Sequence, residues 1–301
     1  MTVFQLLTLG TYNFQLFLYI REVDLRIKSN QKYLSLIKLS NIEFSYRDVK
    51  SDSDFSLSDI NLEINDGDFL SILGPNGSGK STLIKLITGY LESQNGEITL
   101  EGRELKEYKR KDIAKKIAYV PQIPTSIYPF SVYEIIAMGR FPYLDMTGFE
   151  KSEDIDVIDK TIEVMELSHL ANKGINEISG GEAQRAFIGR ALVQQPKILL
   201  LDEPNAHLDI KHQISIFNLL KKLNDKEGIT IVTVMHDLNL TSHYSSRVVM
   251  LKNGKIFLDG KVNDALIPEI IKSVFEVDVE VTMGGNGNAR SILIKTELET
   301  I

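Results

Sequence analysis

Residues 74 to 82 read Gly74-Pro-Asn-Gly-Ser-Gly-Lys-Ser-Thr82, which matches the pattern G-x-x-x-x-G-K-[ST]. The apolar run Phe69–Leu73 precedes it and is typical of a buried strand, and a helical segment follows. Glycines in such a turn let backbone N–H groups surround phosphate oxygens, and the helix N-terminus adds a favourable field. The stretch therefore predicts a phosphate-binding loop in which Lys80 reaches nucleotide phosphates and the Ser81 hydroxyl ligates Mg²⁺.

An acidic pair further along the chain supplies the second half of a nucleotide site. The run from Lys197 to Pro204 reads as an apolar strand that ends in Asp202-Glu203. Ligands of open α/β sheets bind at the carboxyl ends of strands. Asp202 is therefore expected to hold Mg²⁺ through water, and Glu203 to polarise the attacking water as a general base. Alone the run could be an ordinary strand and turn, but after a phosphate-binding loop it predicts nucleotide hydrolysis.

Strands alternate with helices along most of the chain, which predicts an α/β core. Strongly apolar strands such as Ile229–Met235 are typical of a buried parallel sheet. A polar stretch from Arg47 to Ser58 indicates a hairpin loop between two alternating strands near the start of this region. Spaced apolar residues between Pro124 and about Leu170 predict a helical insertion.

Composition narrows the classes of function. A chain of 301 residues is long enough for one large α/β domain or for a core with a subdomain. The formal net charge of -7 argues against a broad basic surface for nucleic acid. The absence of cysteine excludes disulfides, cysteine-based zinc sites and thiol catalysis. The five histidines are scattered, so any metal is expected to arrive with the substrate.

The N-terminal stretch differs from the rest of the chain. Residues 1 to 20 carry no charge, but polar residues from Thr2 to Gln15 interrupt the apolar ones. A membrane-spanning helix needs about 20 mostly apolar residues, and a signal peptide needs a basic start and a compact apolar stretch. The stretch fits neither well. A surface helix, a poorly ordered extension and a start codon assigned too early remain open.

A third motif separates this chain from other nucleotide hydrolases. The run Ile178-Ser-Gly-Gly-Glu-Ala-Gln-Arg185 precedes a predicted helix and resembles the ABC signature, usually written LSGGQ. In that family the motif completes the nucleotide site of a facing subunit, so the resemblance implies a head-to-tail dimer with two sandwiched ATP molecules. Ser179 and Gly181, which would face the γ-phosphate, match the family, whereas Ile178 and Glu182 replace its usual Leu and Gln.

Further positions resemble the ABC family in order and spacing. Tyr46 lies where the family has an aromatic residue that stacks on adenine, and Asp209 matches the aspartate of the D-loop. Gln122 resembles the glutamine that senses Mg²⁺ and leads into the helical insertion. His236, after a predicted strand, resembles the switch histidine that contacts the γ-phosphate. These matches extend the predicted site well beyond the phosphate-binding loop.

The resemblance covers roughly Leu36 to Asp259 and implies a P-loop NTPase core of the ABC ATPase type, with an antiparallel β subdomain and a helical subdomain at about 124–180. Residues 36–301 would form this ATPase domain, and residues 1–35 an extension. The predicted catalytic residues are Glu203, His236 and Gln122, and the predicted Mg²⁺ ligands are Ser81, Gln122 and Asp202. The predicted nucleotide-binding residues are Tyr46, Gly74, Pro75, Asn76, Gly77, Ser78, Gly79, Lys80, Ser81, Thr82, Ser179, Gly180, Gly181 and Asp209.

The kind of ABC protein follows partly by exclusion. Ser179 lies only 99 positions after Lys80, too short a distance for the long coiled-coil insertions of DNA-linked members. The chain has one cassette, no cysteines for zinc modules and no convincing multi-span region. The resemblance therefore implies a peripheral ATPase subunit on the cytoplasmic face of the inner membrane. Its implied partners are permease subunits and, indirectly, a substrate-binding protein, with no nucleic acid.

The implied cargo depends on a segment after the predicted Q-loop. Gly139-Arg-Phe-Pro-Tyr143 resembles the Gly-Arg-x-Pro-His of ATPases from iron-complex, haem and cobalamin importers. The run His236–Asn239 and the tail around Val274–Val281 are also similar to that group. The resemblance implies import of iron complexes, either siderophores or haem. A cobalamin, zinc or manganese importer and a soluble ABC protein remain alternatives, and the segment could merely pack the helical insertion.

Overall fold

The structure, a computed structural model, describes residues 35–46, 55–122, 129–144, 151–206, 208–283 and 290–295. The chain divides into two units, Met1–Ser35 and Leu36–Ile301. The expectations for the N-terminal stretch fall on residues 1–34 and so lie outside the described residues. Within the described part of the chain, no helix is both long enough and apolar enough to cross a bilayer.

Strands and helices alternate through the described residues. The strands are β1 (Ile37–Ser45), β2 (Ser56–Ile64), β3 (Phe69–Leu73), β4 (Asn95–Leu100), β5 (Arg103–Glu104), β6 (Ile117–Val120), β7 (Ile198–Asp202), β8 (Thr230–Val234), β9 (Arg247–Lys252), β10 (Lys255–Lys261), β11 (Val279–Met283) and β12 (Arg290–Ile294). The helices are α1 (Lys80–Ile87), α2 (Arg110–Ala114), α3 (Val132–Ala137), α4 (Ser152–Val164), α5 (Gly180–Leu192), α6 (Ile210–Glu227), α7 (Leu238–Tyr244), α8 (Val262–Ala265) and α9 (Pro268–Phe275). Short 3₁₀ helices lie at Leu105–Glu107, Met138–Arg140, Ser168–Leu170 and Ile175–Glu177.

The main sheet has the strand order β10-β9-β3-β8-β7-β6. Strands β6, β7, β8, β3 and β9 run parallel, and β10 pairs antiparallel with β9 at one edge. Every residue of β3, β7 and β8 is buried, as expected for parallel strands covered on both faces. The predicted α/β core is therefore confirmed. Since these strands are parallel, the segments that follow Leu73, Asp202 and Val234 lie at one edge of the sheet.

A second sheet, of order β2-β1-β4-β5, forms the predicted antiparallel subdomain. Ile37 of β1 pairs with Ile64 on one side and with Leu100 on the other. Burial alternates along β1 and β2, and their buried residues belong to the same apolar cluster as the buried face of α1. The expectation of a loop as far as Ser58 is wrong at its end, because Leu57 is buried and β2 begins at Ser56.

The predicted helical insertion contains α3 and α4 and is followed by α5. Ser131 begins α3 with a capping box in which Glu134 is the reciprocal partner. Ile135 of α3, Ile158 of α4 and Phe187 of α5 are buried in one apolar cluster. This packing confirms a helical insertion, although its expected start near residue 124 lies outside the described residues.

The segment Gly139–Tyr143 contacts both α4 and α5. The Arg140 side chain is 5% exposed, and its Nε donates to Asp154 Oδ1 at 2.8 Å while its Nη1 donates to the Val193 carbonyl oxygen at 2.9 Å. The guanidinium also lies 3.7 Å from the centroid of the Tyr143 ring. A Cβ at Gly139 would lie 2.0 Å from a backbone oxygen of α5. At these positions the segment has a structural function in the helical region.

The chain after β8 folds into elements that the sequence patterns leave unassigned. Strand β9 pairs with β3 in the main sheet, and β10 adds an edge on which exposed and half-buried residues alternate. Helix α9 begins with Pro268 at its first position, where the missing N–H costs no hydrogen bond. The last pair of strands, β11 and β12, is antiparallel, with Val279 opposite Ile294.

Candidate active site

The phosphate-binding loop leaves β3 at Gly74 and enters α1 at Lys80. Gly74 has φ 149°, and a Cβ there would lie 2.2 Å from the Leu251 carbonyl oxygen of β9. Gly79 is left-handed at φ 102°, and a Cβ there would lie 2.5 Å from Leu57 Cδ2. Both positions therefore require glycine for backbone conformation and for close packing.

The N-terminus of α1 is built to receive an anion. No side chain caps it, so the N–H groups of its first turn keep their hydrogen-bonding capacity for a ligand. The Ser78 hydroxyl is buried in the loop and has no hydrogen-bond partner in the described part of the chain. These groups are typical of a site for phosphate oxygens.

The Lys80 ammonium group is folded back over the loop that precedes it. Its Nζ donates to the carbonyl oxygens of Gly74 at 2.9 Å and Pro75 at 3.0 Å. Burial lowers the pKa of Lys80 below its ordinary value, and the charges of Glu203 and Asp202 oppose this effect only in part. The result is a buried cation held at the carboxyl edge of the sheet, beside two acidic residues.

The Asp202 carboxylate is buried at the end of β7. Burial raises the pKa of Asp202, against the opposite effect of the nearby Ser81 hydroxyl. Asp202 Oδ1 has no hydrogen-bond partner among the described residues. Burial, together with the charge of Asp202, also raises the pKa of the neighbouring Tyr119 to about 12. A buried carboxylate oxygen without a partner, next to a serine hydroxyl, is the kind of donor set that a hard cation binds.

The Glu203 carboxylate lies between two predicted catalytic side chains. Gln122 Nε2 donates to Glu203 Oε2 at 2.6 Å. His236 Nε2 lies 2.6 Å from Glu203 Oε1 and acts as donor, because an ionised carboxylate only accepts. Residues from the ends of β6, β7 and β8 therefore converge on one carboxylate.

The backbone of Glu203 is strained. Its φ of 49° is in the left-handed region, which a residue with a Cβ rarely adopts. The Glu203 N–H donates to the Val234 carbonyl oxygen of β8 at 3.2 Å, which holds the turn. Strain of this kind costs on the order of 1–3 kcal/mol and is concentrated at functional sites.

Strand β1 ends at Ser45, and the next residue, Tyr46, lies beside the phosphate-binding helix α1. Its hydroxyl is 3.4 Å from Thr82 Oγ1 of α1, and its ring contacts Phe44 edge-on with centroids 4.9 Å apart. The side chain remains 44% exposed. The ring is thus positioned by neighbours and still accessible to a ligand.

The signature-like segment begins α5 with a reciprocal cap. The Ser179 Oγ accepts from the Glu182 N–H at 3.3 Å, and Glu182 Oε2 accepts from the Ser179 N–H at 2.8 Å and from its Oγ at 2.7 Å. The Ser179 hydroxyl lowers the pKa of Glu182. Glutamate therefore makes the same capping box that glutamine would make at this position.

The His212 side chain contacts both Asp209 and Gly181. Asp209 caps α6 by accepting from the His212 N–H at 2.9 Å, and His212 Nδ1 donates to the same oxygen at 2.9 Å. The His212 ring lies against Gly181, because a Cβ there would be 2.2 Å from His212 Cδ2. The signature-like segment and the D-loop-like segment are therefore packed together.

The predicted residues form two groups in the structure. The first contains Tyr46, the loop Gly74–Thr82, Gln122, Asp202, Glu203 and His236. The second contains Ser179, Gly180, Gly181 and Asp209. Among the residues that the structure describes, no hydrogen bond or ion pair joins the second group to the phosphate-binding loop.

Three residues contact these groups in ways that the sequence analysis did not predict, namely Tyr119, Glu182 and His212. The Ser179-x-x-Glu182 spacing is that of a capping box, so the cap could have been predicted. The contact of His212 with Gly181 joins segments that are distant in the chain, and no local pattern predicts it. Tyr119 next to Asp202 follows only from the pairing of β6 with β7.

Known proteins resemble this chain in sequence. Residues 57–206 match the family model described as ABC transporter. The chain is 36% identical over 249 residues to the iron(3+)-hydroxamate import ATP-binding protein FhuC of Bacillus subtilis, which covers 81% of this chain and 93% of that protein.

Two solved structures are similar in fold. One is an inward-facing conformation of a putative metal-chelate type ABC transporter, with a TM-score of 0.76, 26% identity, and coverage of 88% of this chain and 99% of that chain. The other is the dimeric structure of MJ0796, a bacterial ABC transporter cassette, with a TM-score of 0.65, 31% identity, and coverage of 75% and 98%. The second similarity is to a cassette that forms a dimer.

Proposed function

This chain belongs to the ABC transporter family, and we propose that it is the ATP-hydrolysing subunit of an importer of iron complexes. As a member of this family it binds ATP and couples its hydrolysis to transport. The ATPase part of the proposal is supported by the Glu203 carboxylate, which accepts from Gln122 and His236 at the edge where the phosphate-binding loop begins.

The residues at the loop fit Mg²⁺ as the partner of ATP. Asp202 offers a buried carboxylate oxygen without a hydrogen-bond partner in the described chain, and the Ser81 hydroxyl lies beside it. The side-chain oxygen of Gln122, which bonds the adjacent Glu203 through its Nε2, is the third candidate ligand. When bound, Mg²⁺ would neutralise charge on the β- and γ-phosphates. Lys80 lies where its ammonium group can leave the Gly74 and Pro75 carbonyl oxygens for phosphate oxygens, which are stronger acceptors.

Hydrolysis requires that Glu203 accept a proton from the attacking water. Both carboxylate oxygens of Glu203 now accept hydrogen bonds, from Gln122 and from His236. Each carboxylate oxygen has a second lone pair that can accept from the attacking water, and a turn of the imidazole would free its own N–H. The His236 side chain is more exposed than that of Glu203, and its N–H can then donate to the γ-phosphate. The arrangement thus links proton acceptance to recognition of the terminal phosphate.

The separation of the two residue groups supports a head-to-tail dimer. Ser179–Gly181 present a second helix N-terminus that has no bond to the chain's own phosphate-binding loop among the described contacts. In a dimer, this N-terminus would donate to the γ-phosphate bound by the facing subunit. Each of the two ATP molecules would then contact both copies of the chain.

A groove beside Gln122 supports docking of a permease helix. The groove has a volume of about 460 Å³, with apolar and aromatic surface from α2 and β6 and with the cationic side chains of Lys85 and Arg110 on its wall. Tyr90 on its wall is 75% exposed, and Pro121 lies directly before Gln122. A cytoplasmic helix of a permease seated here would be moved by rearrangement of the Q-loop. The subunit would accordingly act as a peripheral protein at the cytoplasmic face of the inner membrane.

The cargo assignment is supported by relatives. One relative is by name an ATP-binding protein of iron(3+)-hydroxamate import, and a structural relative is a putative metal-chelate type transporter. The cobalamin, zinc and manganese importers and the soluble ABC proteins are the competing assignments. A substrate-binding protein would deliver the cargo to the permease without contacting this chain.

The proposed function is tested by isolating the membrane complex that contains the tagged full chain. We expect a permease to co-purify and, in proteoliposomes, to take up a ferric hydroxamate when Mg·ATP is supplied on the side of this subunit. Haem, cobalamin, Zn²⁺ and Mn²⁺ serve as competing cargoes in the same assay. Uptake of cobalamin, Zn²⁺ or Mn²⁺ alone would contradict the iron-complex assignment, whereas uptake of haem alone would select haem over a siderophore. Recovery of the chain with no membrane partner would contradict the importer assignment.

Replacing Tyr46 with alanine is expected to weaken ATP binding by about tenfold, since base–aromatic stacking is worth roughly 1–3 kcal/mol. Tyr46→Phe keeps the ring and loses only the contact between its hydroxyl and Thr82, so we expect near wild-type affinity. Fluorescent-nucleotide titration of the purified chain measures both variants. Equal affinities for the alanine and phenylalanine variants would show that the ring does not stack on adenine.

A further inference from the structure

Helix α7 begins directly after the turn that carries His236. Asp237 is its N-cap, and its Oδ1 accepts from the Asn239 N–H at 2.8 Å and the Leu240 N–H at 2.9 Å. The Thr241 N–H donates to the Asp237 carbonyl oxygen at 3.0 Å. The backbone next to His236 is therefore fixed to the first turn of α7, and a shift of this helix would displace the histidine.

The side chain of Asn239 connects α7 to the C-terminal strand β12. Its Nδ2 donates to the Ile292 carbonyl oxygen at 3.2 Å, and its Oδ1 accepts from the Ile292 N–H at 2.8 Å. The Asn239 amide thus bonds both the N–H and the carbonyl oxygen of Ile292, as a neighbouring strand would. One turn later, the Ser242 Oγ accepts from the Arg290 N–H at 2.8 Å.

Strands β11 and β12 are themselves held by the core. The Val279 and Ile292 side chains are buried in the apolar cluster that also contains Leu199 of β7 and Phe187 of α5. Arg290 Nη1 donates to the Leu266 carbonyl oxygen at 3.0 Å. Strands β11 and β12 are therefore attached to the rest of the protein independently of α7. Helix α7 lies between these strands and the turn that carries His236.

We propose that β11 and β12 hold α7, and through Asp237 the switch residue His236, in the position that hydrolysis requires. Asn239 is then a positioning residue for the ATPase reaction. This inference rests on the proposed function of His236 at the γ-phosphate. Val281, at the end of the sequence feature Val274–Val281, pairs with Ile292, so this feature is connected to His236–Asn239 through β12.

The substitution Asn239→Ala tests this proposal. Alanine is the better helix former, so α7 itself is not weakened, but both backbone groups of Ile292 lose their partner. With the purified full chain, we expect kcat for ATP hydrolysis to fall by about tenfold and KM to change by less than about twofold, because the lost hydrogen bonds act on the turn and not on ATP binding. Amide hydrogen exchange is expected to become faster at Ile292.

Two further variants control the experiment. His243→Ala removes an exposed side chain from the same helix, and we expect wild-type kcat and exchange. Asn239→Asp keeps the acceptor for the Ile292 N–H but loses the donor, so its kcat should lie between those of the wild type and Asn239→Ala. Thermal unfolding checks that each variant is folded.

The possible outcomes separate this proposal from the function on which it rests. Wild-type kcat in Asn239→Ala, with faster exchange at Ile292, overturns the positioning role and leaves only a structural one. A lower kcat with unchanged exchange at Ile292 also overturns it, because the loss of activity would then be independent of the contact between Asn239 and β12. The variant His236→Ala is measured in parallel, and unimpaired hydrolysis by this variant would refute the proposed function of the histidine itself.

Discussion

Glu203→Gln is expected to bind ATP and to dimerise but to hydrolyse the nucleotide about 10²–10⁴-fold more slowly than the wild type, the range for loss of a general base. Glutamine has nearly the same shape as glutamate and can still occupy the strained turn at φ 49°. It cannot accept the proton of the attacking water. The ATP-bound dimer should therefore accumulate and be detected by size-exclusion chromatography with Mg·ATP.

A matched control separates loss of the base from loss of any negative charge. Glu97 is an exposed glutamate of β4 in the antiparallel sheet, and Glu97→Gln is expected to hydrolyse ATP at the wild-type rate. Brisk hydrolysis by Glu203→Gln would refute the assignment of this carboxylate as base. Failure of the wild-type chain to bind Mg·ATP would refute the entire site.

The carboxyl edge of the main sheet is the part of the site that sequence reasoning predicts well. The glycine pattern after β3, the acidic pair after β7 and the histidine after β8 are all local features of short segments. Parallel strands bring their carboxyl ends together, so no long-range information is needed to place Lys80, Glu203 and His236 near one another. The hydrogen bonds of Glu203 with Gln122 and His236 are a consequence of this topology.

Features that depend on pairing between distant segments could not be predicted in this way. The sequence leaves open that the segment containing Arg140 packs the helical insertion, but no local pattern identifies Asp154 on the next helix as the partner that neutralises this buried guanidinium. Strands β11 and β12 pair with each other. Ile292 of β12 also bonds the side-chain amide of Asn239, which lies 53 residues earlier in the chain. Such contacts have no period or motif, because they are selected by three-dimensional packing.

The structure also changes how the signature-like segment is interpreted. In sequence, Glu182 is a departure from the usual glutamine of the family. In the structure it completes the capping box with Ser179, so the departure leaves the helix start intact. The sensitive position is instead Gly181, where the ring of His212 fills the space that a side chain would need.

Gly181→Ala is accordingly expected to reduce ATP hydrolysis by about a hundredfold, comparable to the loss of one donor to a developing charge. The new Cβ would lie 2.2 Å from His212 Cδ2, and the ring is held by Asp209, so the start of α5 must shift. ATP binding by the single subunit should be unchanged, because Gly181 acts on the nucleotide of the facing copy. Hydrolysis assays and nucleotide titration measure the two quantities separately.

The adjacent glycine provides the comparison for this prediction. A Cβ at Gly180 would lie 3.7 Å from Leu208 Cδ2, which is an ordinary van der Waals contact. Gly180→Ala should therefore lose far less activity than Gly181→Ala, although both lie in the same motif. Equal losses would show that the motif requires glycine for backbone approach to the phosphate and not for the contact with His212. Weaker ATP binding by the isolated Gly181→Ala subunit would contradict a site shared between two copies.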